Sequence, residues 1–319
     1  MGNKKNISVV SFFCGCGGLD LGLRGGFIYK NENIKKLPFD ILKAYDNDPK
    51  CIETYKKNIS NSAEVQDLRN FDPSFMPKAD LLIGGFPCQD FATCGPRKGL
   101  SSDRGKLYLA MIKYMKHHKP MVVIGENVIG LANIEQGEIL DIIKNDLEGV
   151  GYHVKVWTLF APDYGVPQRR TRLIIIAVRN DIDGFPADLK KIYSQNSYRT
   201  TRWAIEDLKE GNTDLPNQKQ YFKASRAKKG NGQGDEITPA DSPAYTIRAN
   251  AKSRVQFHYE LDRRLTVREC ARLQTFPDSF VFPFSATTNI MQIGNAVPPL
   301  LANKIAKNVY KFMERNLNE

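Results

Sequence analysis

The sequence predicts an α/β protein with a doubly wound, mostly parallel sheet, an antiparallel hairpin at one edge, and a small second domain rich in β-structure and loops. Three observations predict this fold class. Short apolar runs alternate with longer helical patterns up to about residue 180, which is typical of a parallel sheet with helices on both faces. The last two apolar runs are joined by a loop without a helical pattern, which favours an antiparallel pair. After about Asp183 the chain becomes rich in Lys, Ser, Asn, Gln and Gly.

The individual elements follow in chain order. The predicted parallel strands are residues 7–13, 39–45, 63–65, 81–83 and 121–124, and the predicted edge hairpin pairs 152–159 with 173–178. Helices are predicted after the glycine-rich turn at 13–19, from Asp48-Pro49 onwards, and at 105–119, 139–147, 267–274 and 299–312. Residues 29–38 form an insertion before the second strand, for which the sequence indicates no role.

Composition limits the class of protein. The chain has 319 residues, of which 41% are hydrophobic, so it can bury a sizeable core. No stretch approaches the roughly 18 consecutive apolar residues of a membrane span, and the first residues lack the apolar core of a signal peptide. We therefore expect a cytoplasmic protein without membrane contact, in which the six cysteines are reduced.

The net charge is +11 and the pI is about 9.2, and part of the basic excess lies between residues 219 and 264. Basic side chains there are interleaved with amides and aromatics: Lys223, Arg226, Lys228, Lys229, Arg248, Lys252, Arg254, Arg263 and Arg264. One interpretation is a solvated basic loop. The mixture is also typical of a surface that neutralises phosphates and contacts base edges, so a polyanionic partner is favoured.

A glycine-rich turn follows the first strand, with the sequence Phe13-Cys14-Gly15-Cys16-Gly17-Gly18-Leu19. Such a turn lets a cofactor approach backbone N–H groups. Because Gly17 and Gly18 are adjacent, the spacing departs from the dinucleotide fingerprint, and hydride transfer with NAD is disfavoured. Cys14 and Cys16 provide only two sulfur ligands with no nearby His, so a zinc site is also disfavoured.

Further functional groups follow the predicted strands. Asp46 closes the second strand, where this fold places a ribose-binding carboxylate. Cys88 follows the fourth strand within Gly85-Phe86-Pro87-Cys88-Gln89. Free cysteine is usually an inert core residue, but the glycines and the proline present this thiol on a rigid turn, which favours a nucleophile. Glu126 follows the fifth strand, and the hairpin loop carries Gln168-Arg169-Arg170-Thr171-Arg172, either a generic basic turn or a clamp for an oxygen-rich substrate.

Seven motifs occur in a fixed order. They are Phe13-x-Gly15-x-Gly17-Gly18, Gly85-Phe86-Pro87-Cys88-Gln89, Asp103-Arg104-Gly105-Lys106-Leu107, Glu126-Asn127-Val128, Gln168-x-Arg170-x-Arg172, the run from Arg264 to Gln274, and Ile293-Gly294-Asn295-Ala296-Val297-Pro298. In this order and over nearly its whole length, the chain resembles bacterial DNA (cytosine-5)-methyltransferases of restriction–modification systems. Each motif alone could be coincidental, but seven in order are very specific.

The resemblance implies a Rossmann-like methyltransferase fold and methyl transfer from S-adenosylmethionine to C5 of a cytosine in double-stranded DNA, with S-adenosylhomocysteine as product and no metal. Cys88 would add to C6 of the ring and thereby activate C5. Glu126, in its protonated form, would hydrogen-bond N3. Arg172 would hold O2, supported by Arg170. The target cytosine would be flipped out of the duplex.

The resemblance also implies a cofactor site, carried over position by position. Its residues are Phe13, Gly15, Gly17, Gly18, Leu19, Asp46, Asn47, Asp67, Leu68, Pro87, Leu107, Asn295 and Ala296. Phe13 would pack on adenine, Asp46 would bind the ribose hydroxyls, and Asp67 would bind the adenine amino group. Asn47 departs from the aromatic residue common in the family, and Ala92 and Cys94 depart from the small hydroxyl residues common beyond the nucleophile.

The same resemblance divides the chain into domains. Residues 1–184 and 290–319 would form the catalytic, S-adenosylmethionine-binding domain, 185–263 the target-recognition domain, and 264–289 a hinge. The predicted DNA contacts are Gln89, Lys223, Arg226, Thr246, Arg248, Lys252 and Arg254. Whether Arg248, Lys252 and Arg254 contact guanine or only phosphate stays open, as does the DNA sequence that is read.

The family setting implies a separately encoded cognate restriction endonuclease, and a monomer is expected because one subunit supplies every group named. Two other functions remain as alternatives. One is a cytosine-5-methyltransferase acting on RNA, since a related branch modifies tRNA with the same fold, but the basic segment between Asp183 and Asp262 favours duplex DNA. The other is a non-enzymatic binding protein, against which the presence of Cys88, Glu126 and Arg172 argues.

Overall fold

The computed structural model describes residues 6–86, 107–132, 134–209, 214–221, 236–249 and 256–318. In chain order its strands and helices are β1 (Ile7–Phe12), α1 (Gly18–Arg24), β2 (Phe27–Tyr29), β3 (Glu32–Ile34), β4 (Phe39–Asp46), α2 (Pro49–Asn58), β5 (Ala63–Val65), β6 (Leu81–Gly84), α3 (Tyr108–His118), β7 (Val122–Val128), α4 (Glu138–Glu148), β8 (Tyr152–Phe160), β9 (Thr171–Arg179), α5 (Thr201–Ile205), α6 (Val267–Leu273), α7 (Ala286–Asn295) and α8 (Pro299–Asn318). Short 3-10 helices span Pro73–Phe75, Ile129–Ala132, Ile134–Gly137, Ala161–Tyr164, Gln195–Ser197 and Glu206–Leu208.

Seven strands form one sheet in the order β5-β4-β1-β6-β7-β9-β8. β1 pairs in parallel with β4 and β6, β4 with β5, and β6 with β7, whereas β9 runs antiparallel to both β7 and β8. The predicted parallel sheet and its antiparallel edge hairpin are therefore confirmed. The chain leaves β1 for β4 on one side and later returns to β6 on the other, so the carboxyl ends of β1 and β6 flank the position of a ligand crevice.

Local sequence explains where two helices begin. The Asp48 side chain caps α2 by accepting a 2.9 Å hydrogen bond from Lys50 N, and Pro49 follows at the start of the helix. At α6, Thr266 and Glu269 form a reciprocal capping box. Both helices thus start where their side chains satisfy the free N–H groups of the first turn.

Both faces of the sheet are covered by apolar side chains from helices. On one face, α1, α6 and α8 contribute to a cluster that also contains Phe276, Phe280 and Phe282. On the other face, α3 and α4 cover strand residues such as Leu82 and Ile175. The three phenylalanines belong to the segment 264–289, so this predicted hinge contributes directly to the core beside the sheet. The domain boundaries themselves stay predictions.

β7 is longer than the sequence predicted. Its antiparallel pairing with β9 continues to the pair Val128 and Arg172, so the strand extends four residues beyond Ile124. Glu126 consequently lies within the strand, opposite Ile174, and not after its end. The apolar run covers only the part of β7 that lies buried between β6 and β9. Beyond it the strand continues with polar residues, which an apolar pattern does not predict.

Two further elements differ from the prediction. The predicted insertion at 29–38 contains part of an antiparallel hairpin, β2–β3, and the Tyr29 hydroxyl donates a 2.7 Å hydrogen bond to Arg272 O of α6. This hydrogen bond attaches the hairpin to α6, which is part of the core. Helix α7 was not predicted, because its threonines and asparagines are weak helix formers and only tertiary packing supports it.

The described part of the predicted recognition domain carries α5, short 3-10 helices and isolated β-bridges. One bridge joins Ala244 to Gln168 of the β8–β9 loop. Ala244 and Ile247 are buried in the same apolar cluster as the sheet, so this segment packs directly on the catalytic part of the chain. Within the described ranges, none of the helices has the length and apolar character needed to cross a membrane.

Candidate active site

An open cleft of about 280 Å³ lies at the end of β7, between the β8–β9 loop and the carboxyl end of α7. Its lining combines residues that the sequence assigned to three different roles. They are Glu126, Arg170 and Arg172 from the predicted catalytic set, Thr246 and Arg248 from the predicted DNA contacts, and Asn295 from the predicted cofactor contacts. The fold thus brings residues from each of the three predicted sets to one surface.

Glu126 and Arg172 form an ion pair in this cleft. Both side chains are 10% exposed, and Arg172 Nε lies 2.8 Å from Glu126 Oε1. The Nη1 atom of Arg172 donates a 2.7 Å hydrogen bond to Thr171 O. Its Nε–H has no partner with hydrogen-bond geometry among the described residues, so the ion pair is close but not aligned.

Arg170 is buried and contacts backbone. Its Nη2 donates to Gly294 O at 2.8 Å and to Ala296 O at 3.0 Å, and its Nη1 donates to Ile247 O at 3.2 Å. Burial lowers the pKa of Arg170 well below its usual value, and the three carbonyl oxygens compensate for the lost hydration. Arg170 and Arg172 both line the cleft, and the supporting role that the resemblance implied for Arg170 stays a prediction.

The turn that leads to Cys88 begins beside Glu126. A Cβ atom on Gly85 would lie 3.2 Å from Glu126 Oε2, so the backbone passes close to the carboxylate. Asn127 Nδ2 donates a 3.0 Å hydrogen bond to Phe86 O, and this bond is buried. The two contacts fix the start of the turn. Residues 87–106, which include Cys88, lie outside the described residues.

With respect to the described residues, the glycine turn after β1 is open on one side. Phe13 has a φ of 53° and Gly15 a φ of 54°, both in the left-handed region. Among the described residues other than its two neighbours in the chain, none has an atom within 4 Å of the position that a Cβ on Gly15 would occupy. Gly15 N donates to Asp46 Oδ2 at 2.9 Å, and Asp48 N donates to Asp46 Oδ1 at 2.9 Å. Burial raises the pKa of Asp46, although these hydrogen bonds oppose that effect.

The two glycines that follow are closely packed. A Cβ on Gly17 would lie 2.1 Å from the Ile59 side chain. A Cβ on Gly18 would lie 2.4 Å from Val297 O and 3.0 Å from Ala296 Cβ. Only glycine fits at either position. The packing places Gly18 against Ala296, which connects two predicted cofactor residues that are far apart in sequence.

The remaining described cofactor positions have different environments. Leu19 and Leu68 are buried, Leu107 is half-buried immediately before α3, and Asn47 and Asn295 are exposed. The Asp67 carboxylate accepts hydrogen bonds from Arg69 Nε at 2.9 Å and Nη2 at 2.5 Å. These bonds hold the pKa of Asp67 at about 2. An adenine amino group would therefore have to share this carboxylate with Arg69.

Several predicted site residues cannot be placed. Pro87, Cys88, Gln89, Lys223, Arg226, Lys252 and Arg254 lie outside the described residues. Of the predicted DNA contacts that are described, Thr246 donates through Oγ1 to Arg169 O at 2.5 Å, and Arg248 is exposed. Across the described ranges, no three His, Cys, Asp or Glu side chains are grouped as a metal ion requires.

Sequence reasoning assigned no role to two residues that build the site. Asn127 holds the Phe86 carbonyl, and Gly294 allows the recognition segment to approach, since a Cβ there would lie 2.4 Å from Ala249 N. Both stand inside recognised motifs, which was the available signal. The sequence did not show which residues they contact, because those residues come from other parts of the chain.

Comparison with known proteins identifies the family of this chain. The family model of C-5 cytosine-specific DNA methylases matches residues 7–240 and 217–311. Type II methyltransferase M.NgoFVII of Neisseria gonorrhoeae is 31% identical, over 98% of this chain and 88% of its own. Type II methyltransferase M.MthTI of Methanothermobacter thermautotrophicus is also 31% identical, over 98% of this chain and 100% of its own.

A solved structure supports the fold. The Entamoeba histolytica methyltransferase EhMeth superposes with a TM-score of 0.69 at 17% identity, covering 97% of this chain and 99% of that chain. The fold is thus shared with a methyltransferase of low sequence identity. Because the family model spans most of the chain and the relatives match it from end to end, this chain belongs to the C-5 cytosine-specific DNA methylases and is a DNA cytosine-5-methyltransferase.

Proposed function

We propose that this protein transfers a methyl group from S-adenosylmethionine to C5 of one cytosine within a specific double-stranded DNA sequence. It acts as the modification enzyme of a restriction–modification system, in the cytosol and as a monomer. Relatives named Type II methyltransferases support the setting. The observation that carries the proposal is the Glu126–Arg172 pair, which lines an open cleft beside the turn that leads to Cys88.

This pair has the groups that a cytosine ring requires. Arg172 Nε–H is a buried donor without an aligned partner among the described residues, and it would donate to O2 of the base. Glu126, when protonated, would donate to N3. Both contacts place hydrogen bonds where negative charge develops when a nucleophile adds to the ring.

Cys88 would be that nucleophile. Its thiolate would form a sulfur–carbon bond to C6, and the electrons of the C5–C6 double bond would shift to C5. C5 would then take the methyl group. A base, which we expect to be water, would remove the C5 proton, and the returning electron pair would expel the Cys88 thiolate. The enzyme is thereby restored for another cycle.

The residues of the glycine turn fit S-adenosylmethionine, which supplies the methyl group when bound. No described residue fills the side of the turn at Gly15, and Asp46 presents a carboxylate at the end of β4 for the ribose hydroxyls. Phe13 lies half-buried beside them and would pack on adenine. Asn295, which lines the cleft, would join the cofactor site to the base pocket.

A target cytosine in a stacked duplex cannot reach a pocket bordered by β7 and the β8–β9 loop. We therefore infer that the base is flipped into the cleft. Thr246 and Arg248, at the same cleft, would contact the DNA around the vacated position. The remaining recognition contacts are proposed for Gln89, Lys223, Arg226, Lys252 and Arg254.

The function is tested by expressing the protein in a host free of cytosine methylation and sequencing bisulfite-treated DNA. We expect methylation at one short sequence, and Cys88→Ala should abolish it while binding of the same DNA stays within about threefold of wild type. Cys51→Ala is the matched control, because Cys51 is a half-buried thiol on α2 outside the proposed chemistry, and it should retain activity. Full methylation by Cys88→Ala would refute the mechanism.

The covalent step is tested separately with DNA that contains 5-fluorocytosine at the methylated position. Fluorine cannot leave as a proton does, so the Cys88–C6 bond should persist and give a denaturation-resistant complex in the presence of S-adenosylmethionine. Transfer RNA tested alongside DNA distinguishes the RNA-directed alternative. Active enzyme that forms no such complex would argue against addition at C6.

A further inference from the structure

Two buried glutamines, Gln168 and Gln274, lie where three parts of the active site meet. Gln168 stands in the β8–β9 loop two residues before Arg170, and Gln274 follows α6. Both side chains are 0% exposed. A glutamine amide without access to water must find partners for its donors and its acceptor inside the protein.

Every polar atom of both amides has such a partner. Gln168 Nε2 donates to Leu273 O at 3.2 Å and to Gln274 Oε1 at 2.5 Å, and Gln168 Oε1 accepts from Ile247 N at 2.9 Å. Gln274 Nε2 donates to Ile293 O at 3.0 Å and to Ala296 O at 2.5 Å. The two side chains therefore form a continuous chain of hydrogen bonds from Ile247 to Ala296.

Arg170 closes this chain into a network. Its guanidinium donates to Ile247 O and to Ala296 O, the two residues at the ends of the glutamine chain. Ile247 is thus held at its N–H by Gln168 and at its carbonyl by Arg170. Ala296 O receives hydrogen bonds from both Gln274 and Arg170.

The backbone between the two ends is also in direct contact. A Cβ on Gly294 would lie 2.4 Å from Ala249 N and 2.4 Å from the Arg248 carbonyl carbon. The segment 293–296 contains two of the predicted cofactor contacts, Asn295 and Ala296, and the segment 246–249 contains two of the predicted DNA contacts, Thr246 and Arg248. They touch at Gly294, and Gln168 and Gln274 set how they are oriented there.

We propose that Gln168 and Gln274 are positioning residues that couple cofactor binding to DNA binding. The inference rests on the proposed function, since it needs both ligands. A cofactor that orders residues 293–296 also orders residues 246–249 through this network, so each ligand raises the affinity for the other by the same factor. The network further holds Arg170, and through it the start of β9, which carries Arg172.

The test measures DNA affinity with and without S-adenosylhomocysteine, using a DNA fragment that the wild type methylates. We expect the product to strengthen DNA binding by wild type at least about fivefold. Gln168→Met and Gln274→Met keep the side-chain length but remove the hydrogen bonds. Each should reduce this factor to about one and lower kcat about tenfold, with a smaller change in KM for S-adenosylmethionine.

The double variant sharpens the test. Because the two glutamines act in one chain, Gln168→Met with Gln274→Met should lose no more coupling than either single variant. All measurements are made below the unfolding transition of each variant, as checked by circular dichroism. Should Gln168→Met have no such transition, Gln274→Met alone supplies the comparison.

Gln218→Met is the matched control. Gln218 is also a buried glutamine with two hydrogen bonds, to Leu208 O at 2.8 Å and from the Thr266 hydroxyl at 3.1 Å, but it lies outside the network. It should lose stability and keep the coupling. Unchanged coupling in the Gln168 and Gln274 variants, an equal loss in Gln218→Met, or no coupling in wild type would overturn the inference. A wild type that methylates no DNA would instead contradict the proposed function.

Discussion

At the scale of single residues, burial next to the glycine turn destabilises the ionised form of Asp20. It lies in α1 with no exposure, and its Oδ1 accepts a 3.1 Å hydrogen bond from the Tyr55 hydroxyl. Its Oδ2 has no hydrogen-bond partner in the described part of the chain. Burial raises the pKa of this carboxyl from 3.8 to about 6. The folded protein therefore binds a proton at Asp20 more tightly than the unfolded chain does.

Asp20→Asn should remove a pH-dependent penalty. Because the pKa is higher in the folded state, stability attributable to Asp20 falls as pH rises from about 4 to about 6 and stays low above that. The difference between the pKa values of the unfolded and folded states corresponds to a loss of stability of at most about 3 kcal/mol. Urea unfolding measured from pH 4 to pH 8 should show the free energy of unfolding of the variant rising relative to that of wild type up to about pH 6. Above that pH the difference between the two proteins should stay constant. A difference that does not change with pH would contradict the burial argument.

At the residue scale, the sequence identified candidate groups that belong to motifs but did not identify the residues that contact them. Glu126, Arg170 and Arg172 were identified from sequence, and the structure brings them to one cleft. The supporting contacts of Asn127 and Gly294 could not be foreseen, because each depends on a residue from a distant segment. A motif identifies a side chain, whereas its hydrogen-bond partner depends on how elements pack.

At the scale of elements, the short helix α6 organises the segments around it. Arg268 has no exposure and donates to three backbone carbonyls, those of Pro216, Pro277 and Phe280. Burial lowers its pKa to about 10. Seven residues would be too short to be stable alone. The helix persists because its capping box satisfies its first turn and because its arginines hold the loops that cover it.

Arg268→Met should therefore be strongly destabilising. The change leaves three buried carbonyl oxygens without their donor, and we expect a loss of about 3 kcal/mol or more in the free energy of unfolding. Arg202→Met is the contrasting control at the surface, where Arg202 pairs with Asp241 and Glu206. Its loss should stay within about 1 kcal/mol. Equal effects of the two substitutions in urea denaturation would show that burial does not decide the cost.

Element-level prediction was accurate where hydrophobic periodicity was strong. The strands of the main sheet other than β7, and helices α3 and α4, were predicted within about three residues of their observed bounds, because each has an apolar run or an apolar face. Helix α8 begins where it was predicted but continues to Asn318, beyond the predicted end at residue 312. The β2–β3 hairpin, α7 and the last part of β7 were missed. Their polar residues become buried or hydrogen-bonded only against neighbouring elements, so the local pattern contained no sufficient signal.

At the scale of the whole molecule, the net charge of +11 predicts salt-dependent DNA binding. If about six or more phosphates are neutralised, affinity should fall by about 10³ or more between 50 and 200 mM salt. Titration of labelled duplex DNA over this range measures the slope. Arg248→Gln resolves the open assignment of this exposed residue: a phosphate contact lowers the slope by about one, and a base contact leaves it unchanged. Salt-independent binding would rule out a phosphate-dominated interface.

The order of motifs and the alternation of strands and helices were sufficient to predict the α/β class, the parallel sheet with its antiparallel edge, and the methylase family. These features are local patterns, because side-chain periodicity and turn chemistry act over a few residues. The tertiary structure decided which distant groups meet. It paired Glu126 with Arg172, packed Gly18 against Ala296, and joined Ile247 to Ala296 through two buried glutamines. The energies of these contacts come from burial and from hydrogen bonds between segments far apart in the chain, which no local pattern of residues specifies.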